Sequence, residues 1–136
     1  MADLATTRAS DPALNALVAQ IKAAQDPEIT KMTGWLTGWG QPTVAPSGSS
    51  MPGMDMSGVM PGMVSDQDMA KLRAATGVDF DRMFARAMIA HHNGAIQMAR
   101  DEQNNGANAD AKALAAQIVK TQQAEVDTLQ KLLDRL

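Results

Sequence analysis

The chain has 136 residues, the size of one domain and enough to bury a core. Its net charge is −3 with both signs interspersed, tyrosine is absent and aromatics make up 3%, so it has neither a basic stripe nor stacking surfaces for nucleic acid. With no cysteine, disulfides, thiol catalysis and thiolate metal sites are excluded, and no apolar run reaches the length of a membrane span.

Helix signals dominate from the start. Ser10-Asp11-Pro12 reads as an N-cap followed by proline in the first turn of a helix that runs to about Leu36. Pro27 interrupts that helix and should kink it or restart it at Asp26. Gly34, Gly38, Gly40 and Pro42 end it, and residues 41–64 form a Met/Pro/Gly/Ser linker. Ser65-Asp66-Gln67-Asp68 resembles a capping box with Asp in place of Glu, opening a short helix that Gly77 closes. Asp79 can cap a long helix from about Phe80 to Gln103, which Asn104-Asn105-Gly106 ends. Asn108 opens the last helix, which runs almost to Leu136. No segment alternates as a strand does.

The chain also resembles itself. Laid without gaps so that Leu17 falls on Leu114, residues Ala19, Gln20, Ile21, Gln25, Glu28 and Leu36 meet identical residues at Ala116, Gln117, Ile118, Gln122, Glu125 and Leu133. In this register Met1-Ala2 falls on Met98-Ala99, near the end of the 80–103 helix. The expectation is that Met1 is an internal methionine of a longer protein and that most of an equivalent first helix, and any export signal, lies ahead of it. A genuine short helical stub is the alternative. The organisation is then residues 1–40 as the back half of a first helical repeat, 41–64 as linker and 65–136 as a second repeat, all within one bundle.

Both histidines sit on the 80–103 helix. At roughly 100° per residue, Phe84, Met88, His91, His92, Ala95, Met98 and Ala99 fall on one stripe, with the histidines at its centre and small Ala95 beside them. The last helix carries Leu114, Ile118, Thr121, Gln122, Glu125, Leu129, Leu132 and Leu136 in phase, so Gln122 and Glu125 interrupt an apolar face where a carboxylate needs a partner. Gln25 and Glu28 hold the same phase in the first repeat. Two readings stand side by side. In one, the glutamates hydrogen-bond the imidazoles and fix helix register. In the other, His91, His92, Met88 and Met98 bind a metal, and Glu125, Gln122, Glu28 and Gln25 orient the rings.

Several enzyme classes fail on spacing. No Glu stands three residues before either histidine, as a di-iron carboxylate bundle requires, and His-Glu-x-x-His, Gly-x-Ser-x-Gly and phosphate loops are absent. The linker suggests different chemistry. It holds Met51, Met54, Met56, Met60 and Met63, five of the chain's eleven methionines, at Met-x-x-Met and Met-x-Met spacings among turn-forming Pro and Gly. Thioethers select Cu(I) over hard cations without an oxidisable thiol. A sticky linker that covers one end of the bundle is the competing explanation.

The run Met88-Ile89-Ala90-His91-His92-Asn93-Gly94-Ala95-Ile96-Gln97-Met98-Ala99, followed by the helix through Ala116-Gln117-Ile118 to Gln122-Gln123-Ala124-Glu125, resembles the bacterial family known as domain of unknown function 305. The resemblance covers about 80–136 fully and 1–36 as the back half of a first repeat. It implies an all-α, ferritin-like four-helix bundle, found outside the cytoplasm, with copper binding in some members, and it carries the metal-binding role to His91, His92, Met88 and Met98. Ala90 stands where proline is frequent in the family. The expected protein is a periplasmic or secreted copper buffer or carrier without catalysis; the alternative is a structural or interaction module whose His-Glu cluster only specifies packing. A bundle lacking most of one helix should leave an apolar groove along helices 12–36, 80–103 and 109–136, and could pair through it as a homodimer.

Overall fold

A computed structural model of the protein describes residues 1–43 and 61–136. The described residues form five helices and no strand: α1 (Ala2–Arg8), α2 (Pro12–Gly38), α3 (Asp66–Ala74), α4 (Gly77–Asn105) and α5 (Ala109–Arg135). The fold is all-α, as expected.

Most helix ends are set by the residues that the sequence singles out. The Asp11 side chain accepts from Ala13 N and Leu14 N ahead of Pro12. Ser65 accepts from Asp68 N, and Asn108 accepts from Ala111 N. These caps satisfy amides that have no partner within the helix. Three expectations are corrected. Gly77 does not close α3, which ends at Ala74; with φ +62 it opens α4 instead. Asp79 is not a cap, because Thr76 holds that position without a side-chain bond; Asp79 lies in the first turn, where a negative charge suits the helix dipole. Pro27 does not restart the helix at Asp26, since α2 runs through it and Thr30 Oγ1 donates to Asp26 O at 2.9 Å.

Helices α4 and α5 form an antiparallel hairpin, joined by residues 106–108. Its long stripes face each other, and α2 packs across them. Leu14, Leu17, Val18 and Ile21 of α2 meet Phe80, Phe84 and Met88 of α4 and Leu129 and Leu132 of α5. Burying each such side chain contributes about 1.5–3 kcal/mol. Ala5 of α1 and Leu72 of α3 close this end, where Phe80 and Phe84 stack at 5.7 Å. A buried carboxylate ties it together: Asp81 accepts from Ser10 N, Asp11 N and the Ser10 hydroxyl. Beyond Ile21 no residue of α2 is buried.

Candidate metal centre

His92 is fully buried, and its Nε2–H donates to Glu125 Oε2 at 2.7 Å. That bond joins α4 to α5 and, in the neutral ring, sets the tautomer, so that Nδ1 carries the lone pair. Nδ1 is buried and has no hydrogen-bond partner among the described residues. Met88 lies one turn before His92 on the same face of α4. Met88 is itself buried within the apolar core. Next to the pair, Gln122 is 8% exposed and its Oε1 also lacks a partner.

His91 takes a different course. Its ring centroid is 6.2 Å from that of His92, with the planes tilted 51° apart. Its Nδ1–H donates to Gly62 O at 3.4 Å, so Nε2 carries the lone pair. Burial pushes its pKa below the ordinary histidine value, and the hydrogen bond to the Gly62 carbonyl opposes that push. The Gly62 contact exists because chain 61–62 lies directly on α4. A Cβ at Gly94 would stand 2.0 Å from Pro61 O, and one at Gly62 would stand 2.5 Å from Ala90 O. Only glycine permits this approach. The C-terminal end of the methionine-rich linker is thus seated on the His-His helix. Met63 is exposed beside it, while Met51, Met54, Met56 and Met60 lie outside the described residues.

His91 also lines a groove of about 920 Å³ between α2, α4 and α5. Met98, 41% exposed, lines it too, as do Met32, Trp35 and Trp39 of α2. Gln25, Glu28 and Gln122 lie along its polar margin. Burial raises the pKa of Glu28, and repulsion from Glu125 adds to the effect. The expected groove is therefore present, but only over one half of the bundle, because α1 and α3 fill the other. The proposed ligand set divides accordingly: His92 and Met88 face inward with Glu125, while His91 and Met98 face the groove.

The sequence reading missed Asp81, although it interrupts the α4 stripe one turn before Phe84 just as Glu125 interrupts that of α5. It also missed the Met32–Trp35–Trp39 face, which a spacing of three and four marks as one stripe. Among the described residues no three His, Asp or Glu side chains gather into a metal cage. Neutral imidazole and thioether are both ligand types that suit Cu(I).

The sequence matches the family described as "Domain of unknown function (DUF305)" over residues 1–133. Among solved structures, a DUF305 protein from Streptomyces coelicolor, thought to be secreted, superposes with a TM-score of 0.84 at 28% identity, over 98% of this chain and 81% of that one. A DUF305 fragment from Deinococcus radiodurans gives 0.84 at 30% identity, over 99% and 84%. CopM in its Cu(I)-bound form gives 0.77 at 29% identity, over 98% and 83%; it has also been solved in a Cu(II)-bound form. No curated protein matches the chain.

Proposed function

We propose, for a chain that belongs to the DUF305 family, that it is a copper carrier or buffer acting outside the cytoplasm and not an enzyme. The observation that carries this reading is the orphaned Nδ1 of His92, a lone pair in the core whose partner nitrogen is anchored by Glu125. Leaving a buried polar atom unpaired costs about 1–3 kcal/mol, and a metal bond there removes that cost. The carboxylate–imidazole pairing is the arrangement that orients histidine ligands in metal sites. His92 and Met88 would hold the ion, with Glu125 fixing the ring. His91 and Met98 would serve the groove side, and the linker methionines would supply further sulfur. Likeness to copper-bound CopM supports the same metal, and likeness to the Streptomyces protein supports a place outside the cytoplasm.

The rival reading has its own support, because the 2.7 Å His92–Glu125 bond fixes the register of α4 on α5 whether or not a metal binds. Anaerobic titration with Cu(I) against a chromophoric chelator separates the two. The copper reading expects His92→Ala to weaken the tightest site by about ten-fold or more, the equivalent of about 1.4 kcal/mol. Unchanged affinity in a folded His92→Ala variant would leave packing as the role of the pair.

A further inference from the structure

The groove has a character that copper binding does not explain. Its volume of about 920 Å³ is that of a site for a drug-sized molecule, far beyond what one ion needs. Its wall is mostly apolar and includes both tryptophans of the chain, Trp35 and Trp39, whose rings stack at 6.3 Å. Its polar side is one-sided. Among the described residues, the charged ones that line it are Glu28 and Glu102, and no lysine or arginine does. Neither carboxylate has an ion-pair partner among the described residues. Gln122, almost fully buried, adds an acceptor oxygen without a donor.

We propose that this groove binds a lipophilic organic cation, with its apolar body against Trp35, Trp39 and Ile29 and its positive charge toward Glu28 and Glu102. Charge complementarity selects the sign. An anion would meet two carboxylates and an unpaired carbonyl oxygen. A neutral amphiphile would leave both carboxylates against an apolar surface without a counter-charge. A cation supplies that counter-charge, and tryptophan faces attract cations as well. The attraction is already visible at the rim, where Lys31 Nζ stands 5.6 Å from the Trp35 ring centroid. The inference does not depend on copper, since none of its contacts needs a metal.

The test uses the metal-free 136-residue chain in the presence of a chelator. Tetraphenylphosphonium and tetraphenylborate are nearly the same shape and differ in the sign of their charge. Tryptophan fluorescence reports binding directly because both tryptophans line the groove. The expected result is saturable 1:1 quenching by the phosphonium, with the borate at least about ten-fold weaker. Glu28→Gln/Glu102→Gln should cost the phosphonium about ten-fold and narrow its advantage over the borate. Lys31→Gln should tighten the phosphonium by removing a competing charge from Trp35. Equal or tighter borate binding would overturn the proposal. So would a phosphonium affinity indifferent to the glutamates in a variant that melts as the parent does, or a groove closed by a second copy, seen as a dimer in sedimentation that neither ion can enter.

Discussion

The two halves of the bundle are built from the same three long helices but stand in different physical states. At one end α1 and α3 cover Leu14, Val18, Ile21, Phe80 and Phe84, and Asp81 ties the α1–α2 connection to α4. At the other, α2 continues for more than four turns without a buried residue, and Trp39 is 52% exposed. His92 and Glu125 lie at the boundary. One half is organised for stability, and the other presents imidazole, thioether, indole and carboxylate to whatever enters. The contrast teaches where to look for a site: an apolar helix face left uncovered is costly as structure, and large exposed patches mark surfaces open to a ligand or partner.

Substitutions at the two ends should therefore behave differently. Phe84→Ala should cost about 3–5 kcal/mol by leaving a cavity in a fully packed layer. Trp39→Ala, the loss of a larger ring, should cost less than about 1 kcal/mol. Chemical denaturation of both variants checks this, and similar losses would break the contrast between the ends. Asp81→Ala comes next. It strips the acceptor from Ser10 N, Ser10 Oγ and Asp11 N and should cost about 1–3 kcal/mol, read in the same experiment.

Smaller effects sharpen the picture at the boundary. Gly94→Ala puts a methyl group where Pro61 O now lies, so residues 61–62 must lift from α4. Stability should change by less than about 1 kcal/mol, because alanine's helix propensity offsets the lost contact. The NMR signals of His91 should shift as its bond to Gly62 is lost.

The smallest effect is in pH. The pKa of His91 is depressed in the folded chain by burial, so the unfolded chain takes up the proton first. His91 therefore destabilises the fold as pH falls through its unfolded value of about 6.5 and has no such effect above it. His91→Gln should lose less melting temperature than the parent between pH 7.5 and 5.5. An identical loss in both would mean that His91 is not shielded as the structure has it.

Much of this was legible in the sequence because local chemistry decides it. Asp11, Ser65 and Asn108 cap the helices they precede, since side-chain oxygens there meet free amides. Glu125 and Gln122 stood out as polar residues in an apolar stripe, and the structure buries both, with Glu125 against His92. What was not legible depends on tertiary approach. Nothing local tells that Gly94 is small in order to admit the backbone of Pro61, or that the adjacent histidines face different surroundings. The groove was foreseen as running along three helices, but which half α1 and α3 would fill could not be read from helix periodicity. Asp81 was readable by the same reasoning that exposed Glu125.

The central claim is that His92 Nδ1 is a lone pair held ready for copper. Nitrogen-15 NMR of the imidazoles, recorded while Cu(I) is added anaerobically, tests it most directly. The account predicts that His92 starts with its proton on Nε2 and a bare Nδ1, and that the Nδ1 resonance moves with the first equivalent of Cu(I) while Nε2 keeps its proton on Glu125. A His92 Nδ1 that is protonated at the outset, or that stays unmoved while the protein takes up Cu(I) tightly, would contradict it.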